Sequence, residues 1–213
     1  MSKKILFQGD SITDCGRNRD NPEDTGRGYV HLLACRLEHD TAEDPFRIWN
    51  RGISGHRTKD LLARWQQDCL DLHPDVLSLY IGVNNTWRRY DQNDPTPAEV
   101  FNTELMDLLD QTFSRTDCSA SDSILIEPFV LDVPAGEKAH WMEDLGPKQE
   151  IIRQAANHFG MRHLPLQSIF DQACHQAPAA AWAADGVHPT RPGHQLIANA
   201  WAEVMNDLFK GRN

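Results

Sequence analysis

Short apolar runs that stop at glycine alternate with longer segments of helical spacing, and that alternation constrains the chain more than any other feature. Lys4–Gln8 is apolar and ends at Gly9, as a buried strand does. Residues 28–40 follow with Val30, Leu33, Ala34 and Leu37 at helical intervals. Residues 46–50 alternate apolar and polar and stop before Gly52, so a second strand is expected there. Thr58 is placed to cap a helix striped by Leu61, Leu62, Trp65 and Cys69. Residues 76–81 form the clearest strand, nearly all apolar and ended by Gly82. Pro97 suits a first helical turn, with Val100, Phe101, Leu105, Leu108 and Leu109 behind it. Residues 123–126 read as a fourth strand, and Pro147 as the opening of a helix that Gly160 closes. Residues 162–166 make a weaker fifth strand, and 192–208 a last helix ending near Leu208. Residues 87–96 and 131–146 are expected as the long excursions.

Strands in regular alternation with helices imply an α/β fold: a parallel sheet with helices on both faces. The 213 residues suit a single domain, taken as 1–213. Composition removes several functions. With 31 acidic against 21 basic residues and a formal charge of −10, the chain lacks the basic surface that nucleic acid requires. Its apolar runs are only a few residues long, so no membrane span is expected. Lys3 and Lys4 are not followed by the apolar stretch of a signal peptide. Five dispersed cysteines without a CxxC pair read as reduced thiols in a cytoplasmic protein.

In such folds ligands collect at the carboxyl ends of the strands. The first strand delivers Gly9-Asp10-Ser11 there, and the second Gly52-Ile53-Ser54-Gly55. The third delivers Gly82-Val83-Asn84-Asn85, and Asp185-Gly186-Val187-His188 precedes the last helix. Acyl transfer needs these residue types. A serine hydroxyl is a weak nucleophile until an imidazole takes its proton, and a carboxylate orients that imidazole. Asp185 lies three residues before His188, so one loop can present both. The Ser11 and Gly55 N–H groups and the Asn84 amide are suitable donors to an oxyanion. Each piece alone is ordinary turn chemistry; four in one order, all at strand ends, are hard to reach by accident.

This order resembles the SGNH hydrolases, the GDSL-type esterases and lipases, over residues 4 to about 205. The resemblance implies Ser11 as nucleophile, His188 as base and Asp185 as its partner. It implies Ser11, Gly55 and Asn84 as the oxyanion hole. The fold it implies is a flavodoxin-like three-layer α/β/α sandwich with five parallel strands. Two blocks depart from the pattern: Ile12 replaces the name-giving leucine, and Asn85 stands where an aspartate is common. The wording around residues 9–17, 81–91 and 127–129 is closest to bacterial SGNH acetylesterases that deacetylate xylo-oligosaccharides. That subgroup implies a homo-oligomer.

Asp10, Trp87 and Arg88 are the candidate substrate contacts, and a short acyl group, acetyl, on a polar alcohol such as a carbohydrate is the expected ester. The alternatives are a broader lipase, thioesterase or arylesterase, and a catalytically silent binding module. Cys15 is a rival nucleophile, although a half-buried packing residue is the simpler reading. Ten histidines raise metal catalysis, but no His-Glu-x-x-His or paired Cys/His spacing is present. His56 and His194 fall near the site. No metal and no cofactor is expected.

Overall fold

A computed structural model of the chain describes residues 3–40, 46–133 and 135–206. The strands β1 (Lys4–Gly9), β2 (Arg47–Asn50), β3 (Val76–Tyr80), β4 (Ile124–Ile126) and β5 (Arg162–Leu164) make one sheet. All neighbours are parallel, in the order β2-β1-β3-β4-β5. The chain moves outward from β1 to β2, then returns to build the other side from β3. The crossover directions therefore diverge between β1 and β3, and their carboxyl ends open the crevice where such sheets bind ligands.

Alternation along the strands sorts side chains onto two faces. Ile5, Phe7, Val76 and Tyr80 share one core with α2 (Tyr29–Asp40), α7 (Leu166–Ala173) and α9 (Arg191–Val204). Leu6, Leu77 and Leu79 share the other with α3 (Thr58–Asp68) and α5 (Ala98–Arg115). Two buried indoles carry their polar atoms into these cores with partners. Trp201 Nε1 donates to Ser78 Oγ at 3.0 Å, and Trp65 Nε1 to Thr112 Oγ1 at 3.0 Å.

Three expectations need correction. The helix expected to open at Pro147 is α6 (Glu137–Phe159), with Pro147 in its interior, so most of the excursion expected over 131–146 is helical. Its buried stripe of Trp141, Leu145, Lys148, Gln149 and Ile152 runs straight across the proline. Burial of that stripe outweighs a local penalty of about 3 kcal/mol for an interior proline. Residues 87–91, expected as loop, belong to α4 (Val83–Asp91), whose first turn (Val83, Asn84, Asn85, Thr86) is buried. Thr58 is the first residue of α3 and not its cap; the Asp60 carboxylate accepts the Arg57 N–H at 2.8 Å instead. The short helices α1 (Ser11–Asp14) and α8 (Ala179–Trp182), and α7 itself, carried no clear period in the sequence. Leu208, the last apolar position expected for the final helix, lies outside the described residues. Among the described residues no helix is long and apolar enough to cross a membrane.

Candidate active site

Ser11 begins α1 directly after β1. Asp10 caps this helix: its Oδ1 accepts the Ile12 N–H at 3.0 Å. The loop after β2 is stitched beneath it. Asn50 Nδ2 donates to Thr13 O at 2.7 Å and Thr25 O at 2.9 Å, and the Ser54 N–H to Asp14 Oδ2 at 3.0 Å. Gly52 allows this approach, since a Cβ there would lie 2.3 Å from the Asp14 nitrogen. The chain then turns, with the His56 N–H donating to Ile53 O at 3.2 Å, and this turn leaves Gly55 exposed.

Asp185 and His188 lie on the loop ahead of α9. Gly186 has φ +81° there, and a side chain would meet Leu131 O and Val133 O at 2.7 and 2.8 Å. Its own carbonyl accepts the Leu131 N–H at 2.7 Å. Thr190 caps α9 by accepting the Gly193 N–H. The loop is thus tied at both ends before its polar side chains are considered.

The structure brings the three residues together in one hydrogen-bonded chain. Ser11 Oγ lies 2.9 Å from His188 Nε2, and His188 Nδ1 lies 2.7 Å from Asp185 Oδ2. Asp185 Oδ1 accepts the backbone N–H groups of Val187 and His188 at 3.0 and 2.7 Å. Partial burial pushes the Asp185 carboxyl up, but the bonds from the His188 ring and the two N–H groups outweigh it and hold it well below the usual range. The bond to Asp185 raises the His188 pKa against the opposing effect of burial. An ionised Asp185 puts the neutral ring's proton on Nδ1, which leaves Nε2 to accept from the serine.

Asn84 sits in the first turn of α4, nearly fully buried. Its Nδ2 donates to His56 O at 3.2 Å, and its Oδ1 accepts from Arg88 at 3.4 Å, so its amide is held from both sides. Asn85 is fully buried too. It donates to Thr58 Oγ1 at 2.8 Å and accepts the Thr58 N–H at 3.3 Å, while the Thr58 hydroxyl donates to Glu104. An amide suits this place: its N–H feeds a chain that ends on a carboxylate.

The Trp87 ring centroid is 5.5 Å from that of His188, and Trp141 packs edge-on against Trp87 at 5.3 Å. Tyr90 stacks on Trp141 at 5.6 Å. The sequence offers Tyr90 beside Trp87, and Trp141 as a further candidate with core packing the simpler reading; the structure puts both rings in one cluster with Trp87, Trp141 being buried. Arg88 pairs with Asp91 and lies 5.8 Å from the Trp87 ring. Asp10 does not fit the expected role of substrate contact: it is 0% exposed.

Cys15 and His194 form a pair behind the site. Cys15 Sγ is 3.3 Å from His194 Nε2, and His194 Nδ1 accepts the Tyr29 N–H at 3.2 Å. Burial pushes His194 down to about 4 and the Cys15 thiol up, so neither is primed as a nucleophile or its base. His56 is half-buried, and burial followed by the Arg64 charge lowers its pKa. Among the described residues no group of three His, Cys, Asp or Glu side chains could hold a metal ion.

Residues 7–196 match the GDSL-like Lipase/Acylhydrolase family. The chain is 32% identical over 203 residues to an acetylxylan esterase of Geobacillus stearothermophilus, covering 93% of this chain and 92% of the other. A crystal structure of an acetylxylan esterase from the same organism superimposes with a TM-score of 0.86 at 31% identity, over 95% and 94% of the two chains. A GDSL-like lipase structure from Parabacteroides merdae gives 0.90 at 39% identity, over 97% of each chain. Among the other structures of the Geobacillus esterase are catalytic mutants in which a serine, a histidine and an aspartate are each replaced by alanine.

Proposed function

The chain belongs to the GDSL-like lipase/acylhydrolase family and is a serine ester hydrolase, and we propose that it removes acetyl groups from carbohydrate hydroxyls through an acyl-enzyme on Ser11. The observation that carries the assignment of roles is the chain of short hydrogen bonds from Ser11 through His188 to Asp185.

Ser11 Oγ attacks the ester carbonyl while His188 Nε2 takes its proton. The negative charge that develops on the carbonyl oxygen is met by the Ser11 and Gly55 N–H groups and the Asn84 amide. The imidazolium, held by Asp185, then protonates the departing sugar oxygen as the carbon–oxygen bond breaks, which leaves acetyl on Ser11. Water attacks that ester, giving its proton to His188. Collapse of the second intermediate returns the proton to Ser11 and releases acetate.

Trp87 borders His188 and belongs to an aromatic group with Trp141 and Tyr90, which supports a sugar-sized leaving group on that side. Arg88, which also contacts Asn84, supplies a donor next to it. The resemblance to an acetylxylan esterase supports acetylated xylo-oligosaccharide as the substrate class. The free cysteines support a reducing, cytoplasmic setting. We propose homo-oligomerisation as the resemblance to the acetylesterases suggests it, and sedimentation showing only the 24.2 kDa chain would overturn it.

The test is hydrolysis of p-nitrophenyl esters and of acetylated xylo-oligosaccharide in excess EDTA, by the wild type and Ser11→Ala. Acetate release abolished in Ser11→Ala is expected. Hydrolysis that survives the substitution would overturn the nucleophile, and a preference for octanoate over acetate would overturn the acyl group.

A further inference from the structure

Asp10 is a fully buried carboxylate beside the proposed nucleophile, and helix capping does not account for it. One oxygen accepts the Ile12 N–H; the other, Oδ2, has no hydrogen-bond partner among the described residues. Asparagine or serine would cap α1 as well without a charge. Burying a carboxylate is costly unless something answers its charge. Burial accordingly pushes the Asp10 carboxyl up to about 7, with the Ile12 bond and His188 pulling the other way.

The groups around Asp10 narrow what that answer is. The Tyr29 hydroxyl from α2 lies 3.0 Å from Thr13 Oγ1, in the short helix that Asp10 caps. Tyr80 from β3, fully buried, is in register with Gly9, the residue before Asp10, and its hydroxyl has no partner among the described residues. Neither phenol can become positive, and Glu127, which acts on Tyr80, adds only negative charge. His194 from α9 acts on His188 but is held neutral by burial. His188, from the loop before α9, gains a positive charge during the reaction, and its Nε2 lies 2.9 Å from the hydroxyl of Ser11, the residue next to Asp10.

We propose that Asp10 is a positioning residue, whose buried carboxylate joins Asp185 as a second counter-charge for the His188 imidazolium. The inference rests on the roles assigned to Ser11 and His188 above. Asp185 touches the ring and sets its tautomer; Asp10 acts from the buried side, where its charge is weakly screened, while the His188 side chain is 45% exposed. The arrangement costs stability. The folded-state pKa of Asp10 lies above its unfolded value, so the folded protein binds the extra proton, and stability falls as pH rises from about 4 towards 7.

Asp10→Asn keeps the cap and removes the charge. The experiment compares wild type, Asp10→Asn and Ser11→Ala, with three readouts: p-nitrophenyl acetate hydrolysis from pH 5 to 9, melting temperatures at pH 5 and 8, and the His188 ring titration by NMR. Asp10→Asn is expected to lower kcat/KM about tenfold. It should move the His188 titration and the acid limb of the profile down by on the order of one pH unit. It should also raise the melting temperature more at pH 8 than at pH 5. A His188 titration unchanged in Asp10→Asn would overturn the inference whatever happens to activity. If that variant does not fold, Asp10→Ser, which also caps, is read by the same titration. Hydrolysis that survives Ser11→Ala overturns the assigned roles instead, so the two failures are distinct.

Discussion

Asn84 reaches the proposed oxyanion site as a side chain held at both ends, by His56 O and by Arg88. A donor fixed in advance needs no reorganisation as charge develops, which is why it acts more strongly than water. Asn84→Ala should lower kcat for p-nitrophenyl acetate by 10²- to 10³-fold, about 3 kcal/mol, with little change in KM. A raised KM with kcat unchanged would instead place Asn84 in ground-state binding. His188 must be neutral to accept the serine proton, and its bond to Asp185 raises its pKa. Activity should therefore fall on acidification with a midpoint above pH ~6.5, read from kcat/KM against pH. Asn85 gives a stability prediction. In Asn85→Asp the donor to Thr58 is lost and a buried carboxylate faces the chain that ends on Glu104. A loss of about 2 kcal/mol is expected in urea unfolding at pH 8, shrinking at pH 5 as the new carboxyl protonates.

At the scale of elements, α1 and the loop after β2 act as one part. Asn50 and Asp14 tie them by hydrogen bonds, and Gly52 lets the backbones approach. Gly52→Ala puts a Cβ 2.3 Å from the Asp14 nitrogen and 2.8 Å from the Thr13 carbonyl carbon, both backbone atoms that cannot swing aside. It should destabilise the fold by about 2 kcal/mol and lower esterase activity in the surviving folded protein, because the displaced loop carries Gly55. Full activity with unchanged stability would show that the loop adapts freely. Helix α6 shows how tertiary packing overrides local propensity. Its first half packs Trp141 and Leu145 into the core beside Trp87, and its second half puts Ile152 and Ala155 under the other face of the sheet. Pro147 lies near the division, so a reader of the sequence alone sees a helix start where the helix is only changing partners.

Across the whole molecule, the site depends on joining two ends of the chain. Ser11 and His188 are 177 residues apart and meet because α9 packs on the sheet that carries β1. Trp201 is central to that docking: it is fully buried, 5.5 Å from the Phe7 ring and bonded to Ser78. Trp201→Ala should cost about 3–5 kcal/mol of stability, measured by urea unfolding. Because Trp201 is remote from the reacting atoms, kcat at low temperature should stay near that of the wild type while the thermal midpoint of activity falls with that of unfolding. A large fall in kcat with stability intact would instead assign Trp201 a role in the site.

Local features of the chain suffice for the sheet and for the proposed triad. Five apolar runs ended by turns are legible because a buried strand has to be apolar, and Asp185 and His188 are close enough to share one loop. The strand-end blocks are legible for the same reason, since a parallel α/β sheet puts strand ends on one rim. The half of α6 before Pro147 and the helical continuation of α4 past Trp87 were not legible: their stability comes from surfaces buried against distant partners, and no local period reports that. The burial of Asp10 was decided in the same way. Gly-Asp-Ser reads as a turn, and only the assembled fold, with β3 paired beside Gly9 and Tyr29 from α2 bonded to Thr13, makes the Asp10 carboxylate an interior charge. Solvation of a side chain depends on everything that surrounds it, and most of what surrounds Asp10 comes from elsewhere in the chain.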